Sequence, residues 1–193
     1  MKVMVDLDRV VFECPSFLYW LGNVVFTRSN QKRRLRYCEV DAARVRDCFN
    51  SLFIFKESQP QFFTQVDNSI DVLKKWHEQG IEIHFVSSRP RLRSLQKSAV
   101  VWLAENEIEY ERLVYACTNK SLYCKQEGID IMIDDTLQNC VDARKKGVAS
   151  VWFGSGKRKP NCVKCTTSWE EIDGFVQKKY QQKLRRQVET EIE

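Results

Sequence analysis

Three short apolar runs in this chain each stop on polar residues. KVMVDLD ends with Asp6 and Asp8, IEIHFVSS with Ser87 and Ser88, and IDIMIDD with Asp134 and Asp135. The stretches around them carry helical spacing. SIDVLKKWHEQG places Ile70, Leu73 and His77 on one face and stops at Gly80, LRSLQKSAVVWLAEN reads as a second helix, and TLQNCVDARKKG is capped by Gly147. NKSLYCKQEG is a brief helix ending at Gly128, RLVYA and VASVWFG are further strands, and SWEEIDGFVQKKYQQKLRR closes the chain as one helix or as two broken at Gly174. Strands joined by helical crossovers build a parallel sheet covered on both faces. Ligands of such sheets bind at the carboxyl ends of the strands. Three polar clusters from distant parts of the sequence are therefore expected on one rim.

Residues 12–65 break the alternation. They are rich in aromatic side chains (Phe12, Phe17, Tyr19, Trp20, Phe26, Phe49, Phe53, Phe55, Phe62, Phe63) and in cations, from Arg28 through Lys32, Arg33, Arg34 and Arg36 to Arg44 and Arg46. An insertion after the first strand, lying over the rim as a helical lid, accounts for both. Most of its aromatics are then lid core, with one or two left to stack on a base or fill a substrate pocket. The basic run reads as a solvated helical face or as a surface that draws in an anion, a nucleotide or a nucleic acid.

Composition narrows the rest. A chain of 193 residues with 43% hydrophobic residues can build one real core with a small cap. It has no apolar run of about 18 residues, so no membrane span is expected. Asp6 and Asp8 interrupt the apolar stretch near the N-terminus, which does not fit a secretory leader, and a cytoplasmic location is expected. The eight cysteines are scattered. Only Cys162 and Cys165 form a CxxC pair, and without a second pair or nearby histidines reduced thiols are expected rather than a structural zinc site. The spacing of Phe175, Tyr180, Leu184, Val188 and Ile192 suits a surface helix or a dimer contact, so monomer and homodimer both stay open.

The chemistry of the rim follows from its residue types. In an extended chain residues i and i+2 point the same way, so Asp6 and Asp8 would repel until one protonates or both share a cation. For this stretch alone the alternative is a solvated turn. Four carboxylates at two strand ends call for a counter-charge, and all-oxygen ligation suits Mg²⁺, which keeps waters and shares a substrate phosphate. Phosphoryl transfer also needs a nucleophile, an acid for the leaving oxygen and donors for the equatorial oxygens. DLDRV can supply the first two, Ser87 or Ser88 with nearby backbone N–H groups the third, and a lysine would complete the balance of charge.

With VMVDLDRVV, IHFVSSRP, TNK and IMIDD in this order, the sequence resembles the haloacid dehalogenase (HAD) superfamily of phosphohydrolases, over nearly the whole chain. The insertion after the first motif, the FF before the next helix, SSRP, TNK, IDD and the late SW are most similar to the 5′(3′)-deoxyribonucleotidases. The resemblance implies an α/β fold, a three-layer Rossmann-like parallel sheet formed by residues 1–11 and 66–193, with a small helical cap at 12–65. It implies Asp6 as nucleophile and Mg²⁺ ligand, and Asp8 as the acid and base whose backbone carbonyl also meets the metal. Ser87, with Ser88 beside it, and Lys120 would bind phosphate, Asp135 would ligate the metal directly, and Asp134 would support it. Lys120 opens its helix where the family places its lysine, whereas Lys125 lies inside the helix and faces water. Arg9 departs from the pattern, since the family has glycine or another small residue there.

The function so implied is a Mg²⁺-dependent phosphomonoesterase forming an aspartyl-phosphate, with a small phosphorylated substrate, a nucleoside monophosphate first. A phosphatase of nucleic-acid ends or sugar phosphates, and a non-catalytic binding protein on the same fold, are the alternatives.

Overall fold

The computed structural model describes residues 1–13, 63–88, 93–156, 161 and 163–192. The interior of the expected cap, its basic run, Cys14, Cys38, Cys48 and Cys162 lie outside the described residues.

Six parallel strands form the body: β1 (Lys2–Val5), β4 (Glu82–Val86), β5 (Arg112–Val114), β6 (Ile131–Asp134), β7 (Ala149–Phe153) and β8 (Lys164–Thr166), in the order β5-β4-β1-β6-β7-β8. Between them run α1 (Ser69–Glu78), α2 (Arg93–Glu105), α3 (Lys120–Gln126) and α4 (Leu137–Lys145), and α5 (Trp169–Ile192) follows β8. α1, α3 and α4 run out at Gly80, Gly128 and Gly147, all at positive φ, as their sequence stops imply.

The central strands read as continuous apolar runs because both faces are covered. Their alternation sorts the core into two sides. Val3, Val5, Ile83, Phe85, Ile131 and Ile133 join Leu73 and Trp76 of α1, Trp102 and Leu103 of α2, and Trp169, Ile172 and Val176 of α5. Met4, Val86 and Met132 point to the opposite side, against Cys124 of α3 and Ala143 of α4. The result is the expected three-layer α/β sandwich. His84 is in register with Met4, is buried, and its ring Nδ1 lies 2.8 Å from the Tyr123 hydroxyl oxygen.

The order of the strands locates the rim. From β1 the chain steps outward to β4 and β5, then returns to the other side of β1 to lay down β6, β7 and β8. β1 and β6 are therefore neighbours whose connections diverge, the position where open α/β sheets hold ligands. Asp6 and Asp134 stand at those two strand ends, and the Asp6 amide donates to the Ile133 carbonyl at 2.9 Å.

The closing segment, open as one helix or two in the sequence, is a single helix of 24 residues through Gly174, α5, and two further details differ from the sequence reading. A mid-helix glycine costs about 1 kcal/mol relative to alanine, and the buried Trp169, Ile172 and Val176 outweigh it. β8 was not anticipated, because three residues after a basic stretch carry no strand pattern. Finally, Phe12 belongs to the core of the body rather than to a lid. It is fully buried, stacks on Phe63 at 4.5 Å between ring centroids and meets Trp102 edge-on at 4.9 Å. The two ends of the 12–65 insertion pair antiparallel, β2 (Phe12–Glu13) with β3 (Thr64–Gln65), so the chain leaves and re-enters the body through one short ribbon.

Candidate active site

Each expected site residue owes its place to local structure. β1 ends at Val5, and the next residues form a turn rather than more strand. The Val11 amide donates to the Leu7 carbonyl at 3.0 Å and the Arg9 amide to the Phe12 carbonyl at 2.8 Å. Val10 and Val11 are buried, and their carbonyls accept from the Trp169 indole at 2.7 Å and the Ser69 hydroxyl at 2.9 Å. The turn is thus fixed to α5 and α1. It buries Asp6 and leaves Asp8 half-buried, with Arg9 exposed.

Lys120 is the first residue of α3. The Asn119 side chain caps that helix, accepting from the Leu122 amide at 3.0 Å. Only 3% exposed, the Lys120 ammonium lies 2.9 Å from Asp6 Oδ2 and 2.8 Å from Asp134 Oδ2. Lys125 is exposed and stands outside this buried cluster.

Asp134 is fully buried and accepts at both oxygens: Oδ2 from Lys120, Oδ1 from the Thr136 amide at 2.8 Å and from the Asn139 side chain at 3.0 Å. Asp135 is turned differently. It accepts from the Thr136 hydroxyl at 3.2 Å, and its backbone carbonyl accepts from the Trp152 indole at 2.8 Å. Ligand oxygens of Asp6, Asp134 and Asp135 lie within 4.8 Å of one another. Asp8 stands outside that group of three, although its charge bears on Asp6.

Ser87 is completely buried at the end of β4, its amide donating to the Val114 carbonyl at 2.8 Å and its carbonyl accepting from the Cys117 amide at 3.2 Å. The Ser88 hydroxyl donates to the Cys117 carbonyl at 3.1 Å, so it braces the loop after β5. Sequence reasoning missed Thr136, Asn139 and Trp152. A threonine just before a helical run is a cap signal, whereas Asn139 and Trp152 carry no mark before the fold brings the first to the Asp134 carboxylate and the second to the Asp135 backbone carbonyl.

The electrostatics are those of crowded, dehydrated charge. Burial raises the Asp6 carboxyl to about 8, Lys120 opposes the rise, and Asp134 and Asp8 add to it. Burial alone would lower the Lys120 ammonium, but Asp6 and Asp134 outweigh it and hold it well above the ordinary lysine value. The Asp135 carboxyl is also raised, by burial and by Asp134, against Lys120 and Arg9. The Lys120 ammonium and the half-exposed Arg9 guanidinium do not balance Asp6, Asp8, Asp134 and Asp135. The surplus is hard oxygen donors aimed at one spot, a donor set that fits a small divalent cation.

Among the described residues no cysteine joins the group of Asp6, Asp134 and Asp135. Cys117, Cys124, Cys140 and Cys165 are free thiols, and burial pushes the Cys124 thiol up to about 12 and the Cys140 thiol higher still, which makes both poor nucleophiles.

A parallel sheet whose first and fourth body strands each end in a buried aspartate, joined across the switch point by one lysine, defines a hydrolase of the HAD superfamily. Within that superfamily the chain belongs to the family described as 5′ nucleotidase, deoxy (pyrimidine), cytosolic type C protein (NT5C), which matches residues 1–182. Solved structures share the fold at low identity. A predicted phosphatase from Clostridium acetobutylicum is 16% identical with a TM-score of 0.65, over 92% of this chain and 98% of that one. A HAD phosphatase from Thermococcus onnurineus is 17% identical with a TM-score of 0.59, over 91% and 98%. A HAD family enzyme from Bacteroides thetaiotaomicron, in complex with magnesium and inorganic phosphate, is 15% identical with a TM-score of 0.50, over 81% and 96%. Comparison with curated proteins gives no match.

Proposed function

We propose that this protein is a Mg²⁺-dependent phosphomonoesterase acting on nucleoside monophosphates through an aspartyl-phosphate. The observation that carries the reading is the buried Lys120 ammonium held between Asp6 and Asp134. It marks the point where a dianionic phosphate can be neutralised beside a carboxylate nucleophile. Family membership supports the nucleotide, and the magnesium and phosphate bound by the Bacteroides enzyme support the metal.

Asp6 is oriented for attack. Its Oδ1 accepts from the Leu7 amide at 2.8 Å and its Oδ2 is paired with Lys120, so the carboxylate cannot swing away. In the first half-reaction an Asp6 oxygen bonds to phosphorus and the P–O bond to the leaving group breaks, while Asp8 gives its proton to the leaving oxygen. In the second, Asp8 takes a proton from water, the hydroxide oxygen bonds to phosphorus, and the acyl-phosphate bond breaks to return the Asp6 carboxylate and release phosphate. Lys120 and the Ser87 hydroxyl hold the phosphoryl oxygens in both halves, and the closed surroundings of Asp6 limit stray water. Asp6, the Asp8 carbonyl and Asp135 would hold Mg²⁺, with Asp134 behind them; when bound, the ion supplies the positive charge that ionises Asp6 and neutralises the phosphate. The 12–65 insertion is proposed as the cap that reads the leaving group.

The test is Mg²⁺-dependent phosphate release over deoxy- and ribonucleotides, sugar phosphates and 5′- or 3′-phosphorylated oligonucleotides, with Asp6→Asn as control. Turnover of nucleoside monophosphates that vanishes in Asp6→Asn is expected. A wild type inert across the panel refutes catalysis. Preference for oligonucleotides that collapses with salt moves the assignment to nucleic-acid ends.

A further inference from the structure

Arg9 is the tip of the turn that carries Asp6 and Asp8, and it adopts a left-handed backbone, φ +61°. A residue with a side chain keeps that conformation at a cost, and the turn is held by hydrogen bonds from both α1 and α5. The side chain reaches across the rim from the β1 side to the β6 side, where Arg9 Nη1 lies 3.6 Å from Asp135 Oδ2. Asp135 is largely covered there, its side chain 18% exposed, while that of Arg9 is 50% exposed. The other Asp135 oxygen accepts from Thr136.

Building on the metal-dependent reading above, we propose that Arg9 is a resident competitor for the divalent cation. Its guanidinium shares the Asp135 carboxylate with the metal site, so the cation must displace or outbid it. Arg9 is thus a positioning residue that acts through Asp135. Two cations cannot crowd one carboxylate without mutual repulsion, and the guanidinium cannot relieve this by losing its proton. Metal affinity is therefore weaker than the same carboxylates would give alone, and loading follows the free Mg²⁺ concentration.

The test titrates purified protein with Mg²⁺ alone, calorimetrically and without substrate, for wild type, Arg9→Gln, Arg9→Gly and Arg9→Lys. A half-exposed ion pair of this length is worth a few-fold in affinity, so Arg9→Gln and Arg9→Gly should bind Mg²⁺ about two- to five-fold more tightly. Arg9→Lys should stay near wild type, because it keeps the charge. The gap should shrink in about 1 M KCl, where the screening length falls to about 3 Å. Arg9→Gln binding no more tightly than wild type overturns the proposal. So does tightening confined to Arg9→Gly, which would trace to the backbone rather than to charge. A wild type that binds no Mg²⁺ refutes the metal-dependent reading itself and takes this proposal with it.

Discussion

At the residue scale, the site is an argument about Lys120. A buried ammonium between two buried carboxylates is stable only as a set, since removing one member leaves the others dehydrated and unbalanced. Lys120→Met should lower stability by about 3 kcal/mol or more, read by urea denaturation, and should abolish phosphate release. Retention of wild-type stability would mean that the carboxylates protonate and tolerate the loss. Of the residues marked in the sequence, Asp6, Lys120, Asp134 and Asp135 come together directly, and Ser87 is buried at the neighbouring strand end. Their types and order announced them. Ser88 stood in the same motif, but its bond to Cys117 is a matter of loop geometry that spacing does not encode.

At the scale of elements, β7 supports β6 through one side chain. Trp152 pairs in register with Asp134 and its indole donates to the Asp135 carbonyl. A β-carbon on Gly154 would come within 2.8 Å of that indole. Gly154→Ala should therefore displace the ring, lower stability by about 1–3 kcal/mol and weaken Mg²⁺ binding, measured by thermal unfolding and metal titration. Trp152→Phe, which keeps the bulk and loses the donor, should weaken Mg²⁺ binding with a smaller loss of stability. Gly174 is the opposite case. Nothing lies within 4 Å of where its β-carbon would be, so Gly174→Ala should stabilise α5 by about 0.5–1 kcal/mol, seen as a raised Tm. A lowered Tm would show that the helix tolerates no side chain there. Of the two readings, one helix or a break at Gly174, the unbroken helix prevails because local propensity is a smaller quantity than the burial of Trp169, Ile172 and Val176 around it.

At the scale of the whole molecule, one buried imidazole beneath a helix layer makes stability depend on pH. His84 lies under α3, and burial, with help from Lys2 and Arg112, lowers its pKa below the ordinary 6.5. The unfolded chain then binds more protons than the folded one between the folded value and 6.5. Stability contributed by neutral His84 is complete above that window and is lost as pH falls through it. The difference in unfolding free energy between wild type and His84→Gln, followed from pH 8 to pH 5, should narrow with acidification. A constant difference would refute the assignment. On the opposite layer, the ribbon of β2 and β3 ties both ends of the insertion to the aromatic core through Phe12, Phe63 and Trp102. Further along α5, Leu184 and Val188 are exposed, while Phe175 and Tyr180 pack against the core.

The sequence by itself determined the layered sheet, the rim and the chemical types upon it. Apolar period, glycine stops and residue order are local properties, and a parallel sheet turns them into a single edge. Tertiary structure decided which oxygen meets which nitrogen. It divided Asp134 from Asp135 by giving the first to Lys120, Thr136 and Asn139 and the second to Arg9, Thr136 and Trp152. It also joined β8 to the sheet and gave Phe12 to the body. These outcomes depend on contacts between residues far apart in the chain, and pairwise distance across a fold is not written in the spacing along it.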